Sequence, residues 1–156
     1  MIKENANYIA GRVQALPREG ESRFIGLEIP SELIRPFFSK ICEQRNGKEY
    51  FENYENKWRG QYHLTLISSV EFALLDDVEI GKLVRENAEV NSIGLGCANS
   101  GVECCFFIVC ESADLAHMRS YLGLPPKDFH ITIGFSKEDL HGISKGRETL
   151  IKAVAG

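Results

Sequence analysis

The chain has 156 residues, enough for a single domain over 1–156 that buries a sizeable core. Hydrophobic residues make up 44% and charged residues 26%, ordinary proportions for a soluble globular protein. The formal net charge of −4 and the pI near 5.6 argue against a protein that tracks long duplex DNA, because that task needs a basic surface.

The elements, in chain order, begin with a short strand over Tyr8–Val13, and Pro17 and Gly20 punctuate its end. Phe24 to Ile29 reads as a strand in which Ile25, Leu27 and Ile29 alternate. Leu33, Ile34, Phe37, Phe38, Ile41 and Cys42 then fall at helical spacing, with Ser31 as N-cap and Pro36 predicting an irregular or delayed start. Asn46 to Gly60 is polar and Asn-rich with four aromatics. It reads as a long loop that can include a helical turn, and as a lid over a substrate.

A strand follows over Tyr62–Ser68, then a helix through Ile80, Leu83, Val84 and Asn87 that ends before Asn91. Ile93, Leu95 and Cys97 alternate, Asn99-Ser100-Gly101 turns, and Val102 to Cys110 is nearly all apolar. That pattern is a hairpin with a buried second strand. Ser112 caps a helix striped by Leu115, Met118 and Leu122 and stopped by Gly123. Pro125-Pro126 leads into a strand over Phe129–Ser136, and Lys145 to Ala155 reads as a terminal helix.

No run of about eighteen apolar residues is present, so no membrane span is expected. The first residues, Met1-Ile2-Lys3-Glu4-Asn5, lack the apolar core of a secretory signal. The five cysteines (Cys42, Cys97, Cys104, Cys105, Cys110) form no Cys-x-x-Cys pair and no Cys/His cluster at zinc spacing. Reduced thiols in a cytoplasmic protein, with no metal and no cofactor, are the expectation.

Two strands carry the chemistry. Tyr62-His63-Leu64-Thr65-Leu66 and Phe129-His130-Ile131-Thr132-Ile133 share the pattern apolar-His-apolar-Thr-apolar. Side chains at i and i+2 leave the same face of a strand, so each presents a His beside a Thr. One such His-x-Thr is a weak signal, since strands favour Thr. Two copies take two of the chain's four histidines, and each follows a strand-helix unit. The chain therefore reads as a duplicated, pseudo-symmetric α+β fold with sheets facing across a groove. Histidine exchanges protons near neutrality. Two facing histidines can deprotonate a nucleophile and protonate a leaving oxygen, while the threonine hydroxyls hold a phosphate between them.

These paired motifs resemble those of the two-histidine (2H) phosphoesterase superfamily. Gly123-Leu124-Pro125-Pro126-Lys127-Asp128-Phe129 through Asp139-Leu140-His141-Gly142 resembles its Swiss-army-knife RNA-repair-like branch, in which an Asp-x-His follows the second motif. The resemblance implies a bilobal, pseudo-two-fold α+β (LigT-like) fold, with two antiparallel sheets facing a central cleft and helices outside. It implies a metal-independent phosphodiesterase that opens 2′,3′-cyclic phosphates or cleaves other nucleotide or RNA phosphodiesters, with His63, Thr65, His130 and Thr132 as catalytic residues. The expected partner is a small nucleotide or oligonucleotide, an RNA end included.

Other residues are candidates for substrate contact. Trp58, Tyr54 and Phe135 can stack a base, Arg59 and Lys145 supply positive charge near the motifs with Lys127 and Lys137, and His141 lies just beyond the second motif. Tyr62 shares the parity of the apolar face and belongs to the core, and His117 reads as structural or solvent-facing. Two alternatives stay open. One is the same chemistry aimed at a cyclic oligonucleotide second messenger, in signal degradation or anti-immune function, and the other is a non-catalytic nucleotide-binding module. Which histidine is acid and which is base, and the oligomeric state, are also left open.

Overall fold

The computed structural model describes residues 8–17 and 23–151. The architecture is the expected α+β with two antiparallel sheets. Strand β1 (Tyr8–Arg12) and strand β2 (Gln14–Pro17) come from one run of chain that changes sheets at the buried Val13. The strand expected over 8–13 is thus shorter, and a second follows it directly. β3 (Arg23–Ile29) pairs with β2 and with β4 (Tyr62–Ile67), giving a three-stranded sheet in the order β2-β3-β4. β5 (Asn87–Ser100), β6 (Glu103–Glu111) and β7 (Phe129–Phe135) join β1 in a four-stranded sheet ordered β1-β5-β6-β7. Both motif strands, β4 and β7, are therefore edge strands, and they pack against each other between the sheets.

Local chemistry sets the helices. A 3-10 turn over Ser31–Leu33 precedes α1 (Arg35–Cys42), which has Pro36 in its first turn, where a missing N–H costs nothing. Ser31 makes no cap hydrogen bond; the cap positions belong to Pro30 and Ile34. α3 (Ser69–Leu74) starts with a capping box, in which Ser68 Oγ accepts from Glu71 N and Glu71 Oε1 accepts from Ser68 N. The helix expected through Asn87 ends four residues earlier, as α4 (Asp77–Leu83), and Asn87 instead opens β5. α5 (Ala113–Tyr121) is capped as expected by Ser112, whose Oγ accepts from Leu115 N at 3.1 Å, and Gly123 follows at φ 73°.

The largest departure from the sequence reading is at 46–60. Instead of a loop or lid, the chain forms α2 (Gly47–Trp58), a twelve-residue helix. Its aromatics Tyr50, Phe51, Tyr54 and Trp58 fall on one stripe, and Tyr54 is 1% exposed. Tyr54 stacks on Tyr62 of β4 at 5.0 Å between ring centroids and meets Phe135 of β7 at 5.7 Å. Tyr54 Oη donates to the Gln61 carbonyl, and Asn53 Nδ2 donates to the carbonyls of Phe135 and Ser136 at 3.0 and 3.1 Å. Gly134 makes this approach possible, because a Cβ there would lie 3.2 Å from α2 backbone atoms. Propensity lost to packing: an Asn-rich segment becomes helical because its aromatic face is buried.

The C-terminal helix expected over 145–155 is also corrected. Residues 147–149 form a 3-10 turn, then Leu150 bridges Gly96 and Ile151 N donates to the Leu95 carbonyl. Residues 152–155 lie outside the described residues. Glycines at 94 and 96 leave room for this segment, since Cβ atoms there would crowd Leu150 and Thr149. Among the described residues no helix is long and apolar enough to cross a membrane.

Candidate active site

Alternation in β4 and β7 does what the sequence pattern predicts. Tyr62, Leu64 and Leu66 are buried on one side, and His63 and Thr65 are half-buried on the other. In β7, Phe129, Ile131 and Ile133 enter the core while His130 and Thr132 face away from it. Each strand also carries an irregularity directly after its Thr. Thr65 pairs with Gly26 and Ile67 with Ile25, leaving Leu66 as the extra residue. Likewise Thr132 pairs with Phe107 and Gly134 with Phe106, leaving Ile133. Such a bulge bends the strand and re-aims neighbouring side chains. All four motif residues, His63, Thr65, His130 and Thr132, line one cleft of about 310 Å³.

The two histidines have different surroundings. His63 sits between aromatic rings, Phe24 at 4.8 Å and Trp58 at 5.2 Å between centroids. Both rings line the cleft, and so does Lys57 one residue before Trp58.

His130 sits in a charged cluster. Thr132 Oγ1 donates to Asp139 Oδ2 at 2.8 Å. Lys145, 4% exposed, donates to the Leu140 carbonyl at 2.6 Å and to Asp139 Oδ1 at 3.2 Å, and its Nζ lies 3.4 Å from His130 Nε2. Burial first, then the Lys145 charge, push the His130 imidazole well below its usual near-neutral range. Burial pushes the Asp139 carboxyl upward, but Lys145, His130 and the hydrogen bonds from Thr132 and Lys145 together hold it below the usual carboxylate range. Lys127 also lines the cleft, and burial lowers its ammonium pKa.

Of the other residues singled out from sequence, Trp58 lies on the cleft wall and the exposed His141 at its rim. Lys145 reaches the cluster from behind His130 and does not line the cleft. Phe135 is 1% exposed, packed on Tyr54 and off the cleft lining, because it shares the core parity of Phe129, Ile131 and Ile133. Arg59 is exposed at the left-handed C-cap of α2, φ 54°, and does not line the cleft either. Tyr62 is a core residue and His117 is exposed, both as expected.

A family model described as Swiss Army Knife, 2H phosphoesterase domain matches residues 31–141. The chain belongs to the 2H phosphoesterases, in their Swiss Army Knife branch. No curated protein and no solved structure matches it. Membership makes this protein a phosphoester hydrolase with phosphodiesterase-type activity.

Within this 2H phosphoesterase the matched stretch runs from the 3-10 turn before α1 to His141, and so includes both motif strands and the Asp139-Leu140-His141 segment. Phe24 and Lys145 fall outside it. Sequence reasoning missed Phe24, Lys57 and Asp139 as cleft residues. Phe24 had a signal, since it alternates against Ile25, Leu27 and Ile29 and so leaves the His63 side of the sheet. Among the described residues, no group of three or more His, Cys, Asp or Glu side chains is arranged to hold a metal ion.

Proposed function

We propose that this protein is a metal-independent phosphodiesterase that cleaves nucleotide or RNA phosphodiesters, 2′,3′-cyclic phosphates foremost, by two-histidine general acid-base catalysis. The observation that carries the reading is the convergence of both His-x-Thr pairs on one cleft. One imidazole takes the proton of the attacking water as its oxygen bonds to phosphorus. The other delivers a proton to the departing ribose oxygen as the P–O bond breaks, and a phosphomonoester is left. Thr65 and Thr132 hold the non-bridging oxygens, and Lys57 and Lys127 offset the phosphate charge. Phe24 and Trp58 supply an aromatic wall for the base. A volume of about 310 Å³ is at the small end for ligand sites and suits one nucleotide unit.

The test is turnover in EDTA of a panel of 2′,3′-cyclic nucleotides, 2′-5′ dinucleotides and cyclic oligonucleotides, with His63→Ala and His130→Ala alongside. Each variant should lose about 10²–10⁴-fold in kcat. The double variant should lose little more than either alone, because the pair acts as a unit. Turnover of a cyclic oligonucleotide alone would redirect the activity to second-messenger degradation. Activity that vanished in chelator, or survived both substitutions, would overturn the mechanism. Tight nucleotide binding with no turnover would make the protein a binding module.

A further inference from the structure

Four of the five cysteines lie on the β5–β6 hairpin, and two of them touch. Cys97 Sγ and Cys104 Sγ stand 3.4 Å apart. We propose that Cys97 and Cys104 form a redox-responsive dithiol, a modification site that low-molecular-weight disulfides of the glutathione class oxidise to a reversible intramolecular disulfide. The pair lies off the cleft lining, and the proposal does not rest on the phosphodiesterase reading.

The strand register makes the contact. Cys97 pairs with Phe106, and Asn99 pairs with Cys104. The two thiols are therefore diagonal neighbours on one face of the ladder, an arrangement in which side chains can meet. A disulfide brings its sulfurs to about 2.05 Å, so one strand has to yield. Cys104 is held from the β7 side, where Ser136 N donates to its carbonyl and its own N–H donates to Ser136 Oγ, both at 2.9 Å. β5 pairs with β1 only over Asn87–Asn91, and Leu150 bridges Gly96. Beyond Gly96 no strand flanks the outer edge of β5 among the described residues. The Cys97 side is the one that moves.

The surroundings favour this pair over the other hairpin thiols. Cys97 and Cys104 are half-buried and within reach of a small disulfide, whereas Cys105 and Cys110 are buried. Burial raises those two thiols to about 11 and about 12, which keeps them protonated and inert. In the reduced pair the Cys104 thiol donates to Cys97, and the Asn99 amide donates to it as well. These bonds lower the Cys97 thiol to about 7 against the effect of burial, and the same contact raises Cys104. Cys97 is thus the attacking sulfur and Cys104 the resolving one. The Cys97 thiolate attacks one sulfur of the small disulfide, whose S–S bond breaks to release a thiolate. Cys104 gives its proton to that thiolate and displaces the second small thiol from Cys97 Sγ. Two electrons pass from the protein pair to the small disulfide, leaving one protein disulfide and two small thiols. A half-buried bond stays open to reducing thiols, so the step reverses.

The experiment is oxidation of the full chain by oxidised glutathione, in a Cys42→Ser background that removes the exposed thiol of α1. The reaction is quenched with a maleimide under denaturing conditions and read by intact mass and peptide mapping. The four remaining thiols should fall to two, with the loss of two hydrogens and a mapped Cys97–Cys104 bond within one chain. Dithiothreitol should restore all four. Cys104→Ser should stop at a mixed disulfide, one glutathione on Cys97. Cys97→Ser should slow the first step by about tenfold or more, because the remaining thiol is the poorer nucleophile. Four alkylated thiols after oxidation, a bond that runs to Cys105 or Cys110, or a mixed disulfide that persists on Cys97 with Cys104 present would each overturn the proposal. Mapping the bond needs neither serine variant at these two positions, so a variant that fails to fold leaves the proposal open to refutation. Inactivity across the substrate panel would sink the functional reading and leave the dithiol to be judged by its own chemistry.

Discussion

The two motif strands look alike in sequence, yet each is held in place by a helix from the other half of the chain. β4 belongs to the first strand-helix-strand unit, and its bulge leaves the Leu66 carbonyl to accept from Arg119 Nη1 of α5, at 2.8 Å. β7 belongs to the second unit, and its last carbonyl, at Phe135, and that of Ser136 just beyond it accept from Asn53 of α2. The first clamp is ionic and the second is neutral. Arg119 also forks onto both carboxylate oxygens of Glu71 at 2.9 and 2.7 Å, and its Nε donates to the Pro125 carbonyl. Pseudo-symmetry of motif has thus become exchange of support. Each His-x-Thr strand takes a polar support from the opposite half, which suits a site whose chemistry needs both at once.

The largest effect should come from breaking the ionic clamp. Arg119 is 2% exposed, and removing one member of a buried, hydrogen-bonded pair costs about 3–5 kcal/mol. Arg119→Ala should therefore lower Tm by roughly 10 °C or more. The same pair predicts acid sensitivity. The hydrogen bond from Arg119 is the leading cause that lowers the Glu71 carboxyl from 4.5 to about 2. A carboxyl whose folded pKa is depressed stabilises fully above its unfolded value and loses that contribution as pH falls between the two. Wild type should lose on the order of 3 kcal/mol between about pH 4.5 and pH 2 from this group, and Arg119→Ala should lose much less over the same window. Denaturant melts across that range measure both. A wild-type Tm for Arg119→Ala would mean that β4 is held by its own half.

What the sequence disclosed and what it hid divide along the same line. The period-2 alternation around His63 and His130 is local, so the motif faces were legible, and so was the Ser112 cap of α5, which depends on four adjacent residues. The supports are not local. Arg119 is 53 residues from Leu66, and Asn53 is 82 from Phe135. The bulges at Leu66 and Ile133 are defined only against partner strands. α2 did leave a trace, since Tyr50, Tyr54 and Trp58 recur every four residues, but its polar, Asn-rich composition read as loop. Lys145 reads in sequence only as positive charge near the motifs, and its burial depends on a turn fixed by Asp128.

A second difference concerns the walls of the cleft, aromatic at His63 and ionic at His130. If the aromatic side receives the base, Trp58→Leu should act on binding. Base-aromatic stacking contributes about 1–3 kcal/mol, so KM for a cyclic mononucleotide should rise by roughly five- to a hundred-fold with little change in kcat. Leucine keeps the apolar contact of Trp58 with Tyr54, and a melt should show the fold retained. A variant that lost kcat at constant KM would instead make Trp58 a prop for the His63 ring.

The neutral clamp should give the smallest effect, and it sharpens the contrast with Arg119. Asn53 Nδ2 makes two partly buried hydrogen bonds to β7, each contributing about 0.5–1.5 kcal/mol net. Solvent can reach the freed carbonyls, so Asn53→Ala should cost only about 1–2 kcal/mol, or a few degrees in Tm. The change should fall on the β7 side. Amide exchange should speed up at the C-terminal end of β7 before it does so in β4. Asn53→Asp separates the hydrogen bonds from mere packing, because a carboxylate of the same shape offers only acceptors to two carbonyls. It should be worse than Asn53→Ala at neutral pH and should recover as acid protonates the carboxyl. Equal stability of the two variants would show that α2 holds β7 by its aromatic face alone, leaving Arg119 as the polar one of the two clamps.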